Sequence, residues 1–149
     1  MPAGRTISQL VQNIDLYPTF VQLEGGTSSS SIDGHSLVPL LLGQPATSWR
    51  TAALVEHHGP DNDVNDIDYE SRLLSGNPTS YEAIRLANAV YVEYINGDRE
   101  YYRIDKDPEE QVNAFNQLSV STRTQLHAIV TALSQCHGAT NCWAAGRPV

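Results

Sequence analysis

Apolar positions recur with different periods along this chain, and each period predicts a different element. In "IDLYPTFVQLE", residues 14–24, Leu16, Phe20 and Leu23 share one helical face. Asp15 stands at the N-cap position, Pro18 is tolerable in the first turn, and Gly25-Gly26 stops the helix. "SLVPLLLGQ" reads as a second short apolar helix, ended by Gly43 and Pro45, and "TAALVEHHG", residues 51–59, as a buried strand. From Tyr81 to Asp105 apolar and polar residues alternate, and Asn96-Gly97 carries the signal of a tight hairpin, with Tyr102 and Ile104 on the return strand. Leu126, Ile129, Val130 and Leu133 fall at i, i+3, i+4 and i+7, which predicts a helix over 119–135. The pattern is that of an α+β unit. A small antiparallel β-sheet of about four strands, from 51–57 and 81–104, is expected to pack against a C-terminal helix. There is no internal repeat.

The polar stretches carry the candidate chemistry. Residues 60–80 form a long acidic loop, and a loop of that length is usually functional or disordered. Asp61, Asp63, Asp66 and Asp68 alternate as calcium ligands do, but the sixth position from Asp61 is Asp66 where glycine is needed, and the twelfth is Arg72 where glutamate is needed. Counting from Asp105 fails in the same way, at Glu110 and Asn116. Asp107, Pro108 and Glu110 instead read as a capping box at a helix N-terminus. Ser28–Ser31 is a loop run in which nothing marks one hydroxyl with a base. His127 reads as a surface or half-buried residue of the last helix. Glu56, His57 and His58 end a strand beside the long loop and are the candidates for lining a substrate pocket. Adjacent histidines on a strand point to opposite faces, so the two do not easily share one metal.

Composition narrows the classes. The chain has 149 residues, one domain's worth, enough to bury about two thirds of its unfolded surface. Net charge is −8, and with no basic patch a nucleic-acid partner is not expected. No apolar run approaches the ~18 residues that span a membrane, and "MPAGRTISQL" lacks the pattern of a signal peptide. Cys136 and Cys142 close a short loop containing Gly138, which permits a tight turn. A disulfide there implies an exported protein, with zinc held together with His137 as the alternative.

"NGDREYYRIDKDPEEQVNAF" resembles the C-terminal hairpin and turn of type I sulfatases, in the alkaline phosphatase superfamily, through Glu100, Tyr101, Asp107, Pro108, Glu110 and Asn113. "PAGRTISQLVQNIDLYPTFVQLEG" is similar to that family's segment ending in Asp-x-x-Pro-Thr and a glycine. "IDGHSLVPLLLGQ" resembles its Asp-Gly-x-Ser-Leu-x-Pro-Leu-Leu stretch, and "WRTAALVEHHG" and "YEAIRLANAVYVEY" its next strands. "LSQCHGATNCW" is similar to the paired-cysteine tail of N-acetylglucosamine-6-sulfatase-like members, with one residue more between the cysteines. The likeness covers nearly the whole chain, least so at 60–80.

The resemblance implies that residues 1–50 are closing helices of an α/β catalytic domain and 51–149 a C-terminal subdomain. It implies a parent that hydrolyses sulfate esters of sugars or aryl groups, is secreted or extracytoplasmic, and uses calcium and a formylglycine. The formylglycine forms in a Cys/Ser-x-Pro-x-Arg motif. Neither Cys136 nor Cys142 fits it, no serine does, and the family's metal ligands lie upstream of the matched region. No catalytic or metal-binding residue is therefore expected in this chain, which should be inactive alone. Its expected partner is the missing N-terminal catalytic region. Without that region Leu10, Leu16, Phe20, Leu40 and Leu41 should leave an apolar patch, repack, or pair between copies. A phosphate-ester or phosphonate hydrolase of the superfamily, and a free-standing binding domain, are the alternatives.

Overall fold

The computed structural model describes residues 4, 6–45, 48–59 and 78–147. They divide into two compact units, one within Met1–Ala53 and His127–Val149, the other within Leu54–Leu126. Strand β1 (Ala52–His57) and helix α3 (Val120–Ser134) run from one unit into the other.

The second unit is built on an antiparallel sheet of order β1-β2-β3-β4, with β2 at Tyr81–Leu86, β3 at Ala89–Tyr94 and β4 at Arg99–Arg103. The α+β class and the four strands match the alternation in the sequence. Tyr81 pairs with Tyr94, Ala83 with Val92, and Val92 in turn with Glu100. At the β3–β4 turn Gly97 takes φ +98°, where a side chain would be strained, and its N–H donates to the Tyr94 carbonyl at 3.0 Å. The β2–β3 link at Ala87-Asn88 has no glycine or proline to announce it, so the long alternating run divides where the sequence shows no break. One face of the sheet carries buried Ile84, Ala89 and Tyr91. Phe115, in the 3-10 turn Phe115–Gln117, stacks on Tyr91 with ring centroids 6.1 Å apart, and the Arg123 guanidinium lies 4.5 Å from the Phe115 ring centre.

The capping box at Asp107 caps no helix. The chain makes an isolated turn in which the Asp107 carboxylate accepts from the backbone N–H of Gln111 and Val112 at 3.1 and 2.8 Å. Glu110 adopts φ 53°, a left-handed conformation that ends any helical path. Asn113 then satisfies the outer edge of β4. Its amide donates to the Arg99 carbonyl at 3.0 Å, and its Oδ1 accepts from Tyr101 N–H at 3.2 Å and Phe115 N–H at 2.9 Å. An edge strand needs such partners for its open backbone groups.

The first unit holds α1 (Leu16–Leu23), α2 (Val38–Leu41), the end of α3 and α4 (Ala139–Ala145). Along α3 the expected stripe is buried at Leu126, Val130 and Leu133. Asp15 precedes α1, yet its side chain does not cap that helix. It accepts instead from Gln12 N–H at 2.9 Å, from His35 N–H at 2.8 Å and from the Arg50 guanidinium at 2.7 Å. Thr19 hydroxyl donates to the Asp15 carbonyl at 2.6 Å and accepts from Leu37 N–H at 2.8 Å. Gly34 runs so close to the Ile14 carbonyl that any Cβ there would overlap it. The Asp-x-x-Pro-Thr and Asp-Gly stretches are thus the two halves of one buried polar joint.

Helix α1 is consequently inside out. Its buried residues are Pro18 and Thr19, while Leu16, Tyr17, Phe20 and Leu23 are 47%, 59%, 60% and 53% exposed. Ile14 and Val11 on the preceding turn are exposed as well. Of the residues expected in an apolar patch, Leu16 and Phe20 are there. Leu40 is not, because α2 buries it to 6% exposure. Leu10 and Leu41 are half-buried.

Cys136 and Cys142 form a disulfide, which takes both sulfurs away from the zinc alternative with His137. The loop between them is fixed at Gly138, whose N–H donates to Asp33 Oδ1 at 2.6 Å, and at Ala139, whose N–H donates to the Ser30 carbonyl at 3.2 Å. Trp143 on α4 stacks on His35 at 3.9 Å and meets Trp49 edge-on at 4.9 Å, and Arg50 lies 5.3 Å from its ring centre. Burial, and then the Arg50 charge, hold the His35 imidazole below its ordinary value.

Candidate functional site

The candidate residues end β1, whose first two residues, Ala52 and Ala53, are buried and whose last four open to solvent. Glu56 and His58 are exposed and His57 is half-buried. The strand's two-residue period separates His57 from its neighbours, so the three do not form one cluster. His57 turns to the face that carries Tyr81, and the two rings stack with centroids 5.2 Å apart and planes 26° from parallel. His57 Nε2 lies 3.2 Å from the Pro78 carbonyl. A carbonyl only accepts, so that nitrogen carries the proton.

Just past the strand the backbone is clasped. Gly59 N–H donates to Ser80 Oγ at 3.1 Å, and the Ser80 hydroxyl donates back to the Gly59 carbonyl at 2.9 Å. The acidic stretch between them, with Asp61, Asp63, Asp66 and Asp68, lies outside the described residues.

Beyond Tyr81 the site extends to residues that reading β1 alone misses. Tyr81 meets Tyr94 edge-on, with centroids 5.5 Å apart at 65°. The Tyr94 hydroxyl donates to Glu100 Oε2 at 3.2 Å. Burial and the neighbouring Glu100 carboxylate push Tyr94 up to about 12, and the same two causes raise Tyr102. These phenols stay protonated near neutral pH and can serve as hydrogen-bond donors. Among the described residues no three of His, Cys, Asp and Glu converge as a metal set would. The site can bind and orient a ring. Among the described residues it presents no serine or cysteine nucleophile hydrogen-bonded to a base.

The N-sulphoglucosamine sulphohydrolase C-terminal family model matches residues 1–135. The chain belongs to this family. It is 27% identical over 158 residues to human N-acetylglucosamine-6-sulfatase, a match covering 92% of this chain and 28% of that protein. The chain therefore spans little more than a quarter of the length of that relative. The crystal structure of the phosphonate monoester hydrolase of Agrobacterium radiobacter matches 89% of this chain and 26% of its own, at 27% identity and a TM-score of 0.65. A protein solved in complex with its substrate D-glucosamine-2-N,6-O-disulfate shares the fold at 24% identity and a TM-score of 0.60, over 78% of this chain and 22% of that one. The segments singled out for their sulfatase likeness lie within the matched residues, except the paired-cysteine tail, whose Cys136 and Cys142 fall beyond residue 135.

Proposed function

We propose that this chain is the C-terminal part of a sulfatase, a hydrolase of sulfate esters on sugars or aryl groups, and that it completes an active site whose chemical groups lie in the preceding part of the enzyme. One observation carries the reading: α1 turns Leu16, Tyr17, Phe20 and Leu23 outward while a polar joint occupies its inner side. Exposing that much apolar surface is unfavourable unless another surface covers it. The match to little more than a quarter of a longer relative supplies one of the right size. Among the described residues no set of His, Cys, Asp and Glu gathers as calcium would require, and the chain has no site for a formylglycine. Both cysteines are bonded to each other, and no serine or cysteine stands before x-Pro-x-Arg. Those groups belong to the preceding part, and Glu56, His57 and His58 would approach substrate only from the rim. The disulfide supports an exported parent.

Reading the coding DNA upstream of Met1 and expressing both parts together tests this. We expect sulfate-ester hydrolysis from the joined protein, none from the chain alone, and binding of a hydrophobic dye by the chain alone that is lost on joining. Hydrolysis by the chain alone, or an upstream stop codon with no Cys/Ser-x-Pro-x-Arg motif, would overturn it. Likeness to the phosphonate monoester hydrolase favours a second reading, in which the joined enzyme cleaves phosphonate monoesters in preference to sulfates. Running both substrates in the same assay separates the two. A monomeric chain that binds no dye would favour a free-standing binding domain, and self-association would point to pairing through α1.

A further inference from the structure

One aromatic side chain from each of the four strands lies on the same face of the sheet: His57, Tyr81, Tyr94 and Tyr102. Tyr81 is registered opposite Tyr94 and Tyr102 opposite Val90, four residues before Tyr94, so the two-residue period puts all three tyrosines on one side. His57 joins that side by stacking on Tyr81. Glu100, opposite Val92, stands on the same face within reach of the Tyr94 hydroxyl. All five side chains remain partly exposed, around Ala83 and Val92, which the register puts on the same face and which are buried. The rings leave their polar rims open next to a carboxylate.

We propose that the row His57–Tyr81–Tyr94–Tyr102 is a subsite for an uncharged pyranose ring of an oligosaccharide. A pyranose presents C–H groups on its flat face, which suit the apolar faces of Tyr81 and Tyr94, and hydroxyls on its rim, which can donate to Glu100 and accept from the phenols. Charge sets the class of sugar. Glu100 is within the row and Asp107 and Glu110 lie near enough to raise Tyr102, against Arg85, which is registered opposite Val90 on the same face, and the chain carries −8 overall. An anionic ring would be repelled there. The row therefore holds a neutral neighbour of the sulfated unit. This rests on the sulfatase reading for the choice of a sugar over other neutral rings.

The test uses the full 149-residue chain with labelled tyrosine rings, titrated by NMR with N,N′-diacetylchitobiose and separately with a heparin tetrasaccharide. We expect the neutral disaccharide to shift the Tyr81 and Tyr94 ring signals with a Kd of about 1 mM. Tyr81→Leu should weaken that binding by roughly tenfold or more, while Tyr81→Phe, which keeps the ring, should retain most of it. Heparin should leave these signals in place. Glu100→Gln keeps the sheet pairing, and is expected to weaken the disaccharide and admit the anionic sugar. Absent ring shifts, equal response to both sugars, or indifference to Tyr81→Leu and Glu100→Gln would each overturn the subsite. Hydrolysis by the joined enzyme without ring shifts would overturn the subsite alone. Ring shifts without hydrolysis would count against the sulfatase reading alone.

Discussion

Arg50 reaches across 35 positions of sequence to place its guanidinium 2.7 Å from Asp15 Oδ1, and both side chains are almost closed to solvent. A buried pair of this kind stabilises little over a hydrophobic replacement, but removing one partner leaves an uncompensated charge. Arg50→Met is therefore expected to cost about 3–5 kcal/mol, a large share of a domain's total stability. Asp15→Asn combined with Arg50→Met should cost less than Arg50→Met alone. Urea unfolding of the wild type and the two variants checks the order.

His35 gives the same unit a dependence on pH. Its folded pKa lies below the unfolded value of about 6.5, so the unfolded chain binds the proton more readily. Stability is full above that unfolded value. It is expected to decline as pH falls through it, and to level off below the folded pKa. Thermal melts of the wild type and His35→Gln from neutral to mildly acidic pH should diverge in that window, and parallel curves would remove His35 from the account.

The disulfide closes a loop with a sequence separation of only 6, so its entropic contribution is modest. Replacing Cys136 and Cys142 with serine together should cost about 2 kcal/mol. The change should appear first in Trp143 fluorescence, since α4 carries that ring into the stack with His35.

Asn113 takes the place of a neighbouring strand at the β4 edge with two hydrogen bonds, to Arg99 and Tyr101, and makes a third to Phe115. Asn113→Ala should cost about 1–2 kcal/mol, moderated by water reaching the exposed edge. Amide exchange at Tyr101 and Phe115 should quicken, while Val92 in the centre of the sheet should keep its protection.

Much of the fold is legible in the chain. The alternation from Tyr81 onward predicts the sheet because its strands pair around buried residues of β2 and β3, and the α3 stripe predicts its helix because it buries Leu126, Val130 and Leu133. Asp107 misleads because Asp-Pro-Glu-Glu satisfies the local rule for a helix start. The residues after it offer no apolar face to bury, and Glu110 turns left-handed instead. The polar role of Asp15 is hidden because its partners, His35 and Arg50, are distant in sequence. Glu56, His57 and His58 look like a cluster in one dimension and separate in three. The aromatic row is invisible in the sequence because it depends on register between strands, and the break at Ala87-Asn88 that sets the β2–β3 register carries no glycine or proline.

The reciprocal clasp between Gly59 and Ser80 has a bearing on how such a protein can diversify. Gly59 and Ser80 are tied to each other by backbone and hydroxyl, so the end of β1 and the start of β2 are held together at this point. Closing a longer loop adds little entropic cost once its ends are fixed, since each doubling of length costs only about 0.6 kcal/mol. Changes of length or sequence between Gly59 and Ser80 are therefore expected to leave the sheet in place, so variation there does not require rebuilding the fold.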